Sequence, residues 1–284
     1  MPTLKDAVLI LAFAGWNDAS GVATTSVSFM VDKVSGKRFA GIDPEDFYNF
    51  IETRPTVRLE PGKLQREILW PANDFFFCQE PGLSRSLVLG LGVEPHLRWR
   101  GFAEAVLRLS RECRVEQVIT LGALLAEVAH SRPVRLTGFA SDPALTARLG
   151  LVPSRYEGPT GIVGVLNDAF RREGLPVMSL WANVPHYLSV TFYPKAALAL
   201  LGCLSSYLEL PLDLTDLEAA SRDFDAQAKA LLEKNEELSA YVKKLEEGAE
   251  TSETPSPPEE KRQSGEELAR ELEQFLRERR RRSD

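Results

Sequence analysis

Polar side chains able to do chemistry gather at a few points along this sequence. Asn17 and Asp18 directly follow the apolar run Ala7–Phe13. Glu127, His130, Ser131 and Arg132 lie just beyond a second run, Gln117–Gly122. Glu157 and Thr160 flank a Gly-Pro turn, and His186 follows a third run that ends near Trp181. If these loops converge, carboxylates, an imidazole and a guanidinium share one cleft. Such a set holds a phosphate or supports acid–base chemistry. Crowded carboxylates would raise at least one carboxyl pKa, and Arg132 is the nearest cation in sequence to offset that. A structural reading stands beside this one. Loops at sheet ends need polar side chains to cap helices and satisfy buried backbone groups.

Motifs for other chemistries are missing. There is no Gly-x-Ser-x-Gly elbow and no P-loop, and Leu89-Gly90-Leu91-Gly92 lacks the third glycine of a dinucleotide fingerprint. The three cysteines, Cys78, Cys113 and Cys203, have no CxxC spacing. The three histidines, His96, His130 and His186, do not pair with them at ligand spacing. No metal and no cofactor is expected.

The elements that must position these residues follow from the hydrophobic pattern. Ala7–Phe13, Ser86–Gly90, Gln117–Gly122 and Pro176–Trp181 are short apolar runs of the kind buried on both faces of a sheet. Val134–Phe139 reads as a further strand. Helical patterns lie between them, at Val22–Val31, Trp99–Glu112, Gly161–Glu173 and Ala196–Leu208. Asp18 or Ser20 is placed to cap the first. Strands alternating with helices predict an α/β fold with a mostly parallel sheet and helices on both faces. In open sheets of this kind, sites form at the carboxyl ends of the strands. Residues 39–80 differ. Asp43-Pro44-Glu45-Asp46 reads as a helix start, while Thr56–Leu59, Ile68–Trp70 and Phe75–Cys78 read as short antiparallel strands.

Past Pro211 the composition turns charged and helical. The expected division is an α/β core at 1–211, a helical extension at 212–248, a linker at 249–264 and a short charged helix at 265–284. In the extension, Phe224, Ala228, Leu231, Leu238, Val242 and Leu245 fall on alternating four- and three-residue steps, with Asn235 in the gap. That is a heptad seam with one polar core position, suited to contacts between copies. An amphipathic helix lying on its own domain gives the same spacing. Prolines at 255, 257 and 258, with no large apolar residue nearby, predict a disordered linker. Limited proteolysis should therefore cut first between 250 and 264. Mass spectrometry of the early fragments checks this, and a stretch that outlasts the core would refute it.

With 34 basic and 41 acidic residues the net charge is −7, which argues against a nucleic-acid surface. No apolar run reaches the ~20 residues of a membrane span. Met1–Asp6 does not read as a secretion signal. A cytoplasmic protein is expected, with its thiols reduced.

Four separated segments, in order, resemble one known family. They are Phe13–Gly21 (FAGWNDASG), Leu121–Pro133 (LGALLAEVAHSRP), Tyr156–Ile162 (YEGPTGI) and Ser179–Tyr187 (SLWANVPHY). The family is the proteasome assembly chaperone two family, in its bacterial branch, and the likeness runs from about residue 7 to 247. The resemblance implies a phosphorylase/hydrolase-like α/β sandwich and homo-oligomers, often trimers or tetramers. Eukaryotic and archaeal relatives are linked to proteasome assembly, some through a C-terminal hydrophobic-tyrosine-X ending. This chain ends Arg281-Arg282-Ser283-Asp284, so tail-mediated proteasome activation is not expected. The expected function is that of an oligomeric protein-binding or scaffold protein, with self as partner and a trimer favoured. The alternative is a small-molecule hydrolase, phosphorylase or ligand-binding protein using the polar loops.

Overall fold

A computed structural model of the chain describes residue 2 and residues 4–59, 65–79, 83–154, 156–188 and 190–248. The expected linker at 249–264 and the final helix at 265–284 lie outside the described residues. Nine strands and seven α-helices are present among the described residues. In chain order they are β1 (Ala7–Ala14), α1 (Val22–Lys33), β2 (Lys37–Ile42), β3 (Thr56–Leu59), β4 (Arg66–Leu69), β5 (Asn73–Cys78), β6 (Leu87–Val93) and α2 (Trp99–Glu112). There follow β7 (Val115–Ala126), β8 (Leu136–Ala140), α3 (Pro143–Arg148), α4 (Ile162–Arg172), β9 (Val177–Pro185), α5 (Pro194–Leu208), α6 (Thr215–Leu232) and α7 (Glu236–Gly248).

Seven strands form one sheet in the order β2-β5-β6-β1-β7-β9-β8. The four central strands, β6, β1, β7 and β9, run parallel. β5 and β8 run antiparallel to this centre, and β2 pairs antiparallel with β5. The expected α/β class stands, with a parallel centre and antiparallel margins. β1 shows why its run is continuous rather than alternating. Val8, Ile10 and Ala12 join the core under α1 and α5, while Leu9, Leu11 and Phe13 join the core under α2 and α4. Both faces are covered, so both parities must be apolar. Each large buried side chain contributes about 1.5–3 kcal/mol of transfer free energy. A buried polar node of Thr120, Asn167, Ser179 and Trp181 ties α4 to β7 and β9.

One expectation needs correction, and one gains detail. Asp43–Asp46 starts no helix; the Asp43 carboxylate accepts the Glu45 N–H at 3.0 Å and closes a turn. The charged segment after Pro211 is not one helix. It breaks between Leu232 and Glu236, and Asn235 Oδ1 accepts the Leu238 N–H at 3.0 Å. Asn235 therefore caps α7. Upstream, Phe224 packs on Tyr193 with ring centroids 5.1 Å apart, and Ala228 is buried. Leu231 is exposed, Leu238 and Leu245 are half-buried, and Val242 is buried. Both helices contact their own domain.

Candidate functional site

The carboxyl ends of β6, β1, β7 and β9 share one edge, and the candidate residues lie along it. They divide into separate groups. Asn17 and Asp18 are neighbours in sequence but turn to opposite faces of the sheet. Asn17 is buried and donates through Nδ2 to Glu94 Oε1 at 2.7 Å. The same oxygen accepts the Ile162 N–H at 2.7 Å, in the first turn of α4. Glu94 Oε2 faces the Trp16 N–H at 3.4 Å. Gly161 makes this approach possible, since a Cβ there would sit 2.3 Å from Asn17 Nδ2. Glu94, at the end of β6, thus supplies the acceptor that the α4 N-terminus lacks locally. Asn17 Oδ1 and both amide atoms of Asn183 are buried without a hydrogen-bond partner among the described residues.

Asp18 turns the other way and holds α1. Its carboxylate accepts the Ala23 N–H at 2.6 Å and the Thr24 N–H at 3.3 Å, and also bonds the Thr24 hydroxyl. Burial pushes its pKa up, against the lowering effect of these bonds. Asp18→Ala is expected to cost about 1–2 kcal/mol, as loss of a helix cap does. Between the ordinary carboxyl value of 3.8 and the raised native value, the folded state holds a proton that the unfolded state has released. Stability from this group is therefore greatest at low pH and falls as pH rises through that window. Asp18→Asn should abolish this part of the slope in denaturant unfolding measured across the carboxylate range. An Asn variant with an unchanged slope would contradict the assignment.

A third group lies at the ends of β7 and β9, under α7. His130 is buried; its N–H reaches Tyr187 Oη at 2.8 Å and its Nδ1 lies 2.7 Å from the same oxygen. The tyrosine hydroxyl accepts from the backbone and donates to Nδ1. Lys195 Nζ donates to the His130 carbonyl at 2.6 Å and pairs with Asp225 at 2.9 Å. Burial, with Lys195 second, lowers the His130 pKa and favours the neutral ring. Burial also pushes Tyr187 up to about 12. His186 Nδ1 lies 3.2 Å from the Ala126 carbonyl, which can only accept, so Nε2 is free to accept from Tyr241 Oη at 3.2 Å. Contacts among the rings of His130, Tyr187, His186 and Tyr241 are edge-on at 5.7 to 6.0 Å. Ser131 donates to the Glu246 carboxylate, and Arg132 Nη2 to the Glu246 carbonyl at 3.2 Å. Exposed Glu127 lies close enough to Tyr241 for its charge to raise that hydroxyl's pKa, after the larger effect of burial.

Glu157 and Thr160 are exposed in the loop before α4, with the Thr160 hydroxyl against Gly164 in its first turn. A groove of about 680 Å³ opens elsewhere, between β8, α3 and α5. Its lining includes Arg135, Arg148 and Cys203 but none of the candidate residues. Among the described residues no cluster of His, Cys, Asp and Glu is arranged to hold a metal ion, and no helix is long and apolar enough to cross a membrane. What the arrangement does chemically is fix loops: Glu94 pins α4, Asp18 pins α1, and the His130–Tyr187 group seats α7. Sequence reasoning missed Glu94, Tyr187, Lys195, Tyr241 and Glu246. Glu94 was within reach, because it follows a strand at the same edge. The α7 partners carried no such signal, since their contacts depend on where the chain bends.

Comparisons with known proteins agree with this architecture. A PAC2 family protein from Streptomyces avermitilis superposes with a TM-score of 0.76 at 42% identity, covering 84% of this chain and 100% of that one. A Mycobacterium tuberculosis proteasome-assembly chaperone homologue matches with a TM-score of 0.76 at 38% identity, over 83% of this chain and 99% of its own. The Pyrococcus furiosus archaeal proteasome activator PbaB shares the fold, with a TM-score of 0.65 at 18% identity over 81% of this chain and 95% of its own. No curated protein sequence matches the chain. The family model for PAC2 matches residues 12–232, and the chain belongs to the PAC2 family.

Proposed function

We propose that this protein is a proteasome-assembly-chaperone-like scaffold that forms homo-oligomers, with a trimer favoured, and binds another protein. The carrying observation is that Asn17, Asp18, His130, Arg132 and His186, at the sheet's carboxyl edge, are hydrogen-bonded within the chain itself. Asp18 holds α1, Glu94 and Asn17 hold α4, and Ser131 and Arg132 hold α7. A hydrolase or ligand-binding reading needs these groups to converge on open space, and the groove of about 680 Å³ lies away from them. Membership of the family supports the chaperone-like reading, as does the likeness to a proteasome-assembly chaperone homologue. The cytoplasm is the compartment that this reading requires.

Two measurements test it. Light scattering at micromolar concentration should give the mass of several copies. Crosslinked affinity capture from the protein's own cell extract should retrieve a stoichiometric protein partner. A clean monomer that retrieves no protein would overturn the reading.

A further inference from the structure

Between the end of β2 and the start of β5 the chain leaves the main sheet. It builds β3 and β4, a two-stranded sheet that pairs with no other strand among the described residues. The register sets Val57 opposite Ile68 and Leu59 opposite Arg66. Directly opposed residues share a face, so Val57, Leu59 and Ile68 form one apolar face with Arg66 at its rim. Thr56, Arg58, Glu67 and Leu69 form the other, where Arg58 and Glu67 pair at 2.9 Å. The apolar face is bare: Val57 is 61% exposed, Leu59 59% and Ile68 55%. Ile51 and Trp70, at the base of the hairpin, are also exposed. Five of the ten large apolar side chains left exposed among the described residues thus fall between 51 and 70. Scattered exposed apolar residues need no explanation, but a contiguous patch does.

Two physical arguments say that this face is covered in the working protein. A two-stranded hairpin is marginal in water unless its face packs on something. Its outer edges are also open, which invites uncontrolled pairing. Two further arguments favour a second copy as the cover. These five side chains expose roughly 500 Å² per copy, a large part of the about 800 Å² that each partner of a stable complex contributes. Charge points the same way. The whole chain carries −7, so copies repel one another in general, but residues 51–70 hold four basic and three acidic groups. Copies meeting here avoid most of that repulsion.

We infer that the β3–β4 hairpin is the self-association surface, its apolar face packing with the same hairpin of the other copies around the oligomer's symmetry axis. This rests on the homo-oligomeric reading above and names the surface through which it is achieved. The test uses the full chain and the variant Val57→Thr/Ile68→Thr, which keeps β-branching and strand propensity at both positions. Sedimentation across a dilution series should show the dissociation constant raised on the order of a hundredfold or more, as when central interface residues are truncated. A variant that assembles as tightly as the wild type overturns the inference and leaves the oligomer reading standing. A wild type that stays monomeric overturns both. Hydrogen exchange on the wild type makes the test independent of how the variant folds. The amides at 56–59 and 66–69 should be protected when copies are assembled and exchange fast on dilution. Fast exchange in the assembled state overturns the inference.

Discussion

Gly138→Ala is expected to destabilise the protein by about 3–5 kcal/mol, enough to remove most of the margin of an ordinary domain. Gly138 lies in β8 at φ +150°, and a Cβ there would sit 1.9 Å from the Ser179 carbonyl oxygen and 3.0 Å from its carbon. Those are backbone atoms of β9. They cannot swing aside as a flexible side chain does, because Ser179 is also bonded to Thr120, Asn167 and Trp181. The chain relieves the clash only by moving β8 off β9, which breaks the pairing of Leu136–Ala140 with Met178–Ala182. Gly150 supplies the control. It too has positive φ, +62°, but a Cβ there meets nothing within 4 Å. Gly150→Ala should cost only about 1–2 kcal/mol of backbone strain. Denaturant midpoints of the two variants separate steric contact from strain. Equal losses would show that β8 accommodates a side chain and that the argument from close approach is wrong.

That glycine shows where the sequence stops being legible. Val134–Phe139 already reads as a strand, and β8 spans Leu136–Ala140. Its antiparallel direction and its need for glycine come from the neighbouring strand, which no local pattern records. The central strands were readable because burial on both faces forces continuous apolar runs, as in β1. β2 was not, because at the margin of the sheet Lys37–Ile42 keeps a mixed, partly exposed pattern. α3 buries none of its six residues, so no amphipathic stripe betrays it. The candidate residues were legible as a shared edge, because they follow strand ends. Their division was not. Asn17 and Asp18 are adjacent in the chain, yet they serve helices on opposite faces, and that choice depends on Glu94 and Thr24 being in place. The seam from Phe224 to Leu245 had the right period for two arrangements. The break inside it, where Asn235 caps a new helix, is something spacing alone does not record.

Glu94→Ala is expected to cost about 3–5 kcal/mol, and the loss should centre on the first turn of α4. One carboxylate there joins three elements, namely the ends of β6 and β1 and the start of α4. Hydrogen bonds to a charged group contribute about 1.5–3 kcal/mol each when partly buried. Truncation also leaves the Asn17 amide wholly without partners, since its Oδ1 already has none. The α4 N-terminus loses its acceptor at the same time, and Gly161 has no side chain to replace it. Glu94→Gln separates charge from geometry. It keeps an acceptor oxygen but loses the favourable interaction with the helix dipole, so about 1–2 kcal/mol is expected. Because Asn17 and Glu94 act as a pair, Asn17→Ala combined with Glu94→Ala should cost less than the sum of the single losses. Hydrogen exchange localises the effect: the amides of Ile162 to Val165 should lose protection while those of α2 keep theirs. Equal loss in both helices would mean that Glu94 stabilises the whole domain rather than the α4 terminus. A change of under about 0.5 kcal/mol, typical of a surface site, would mean that the carboxylate is dispensable there.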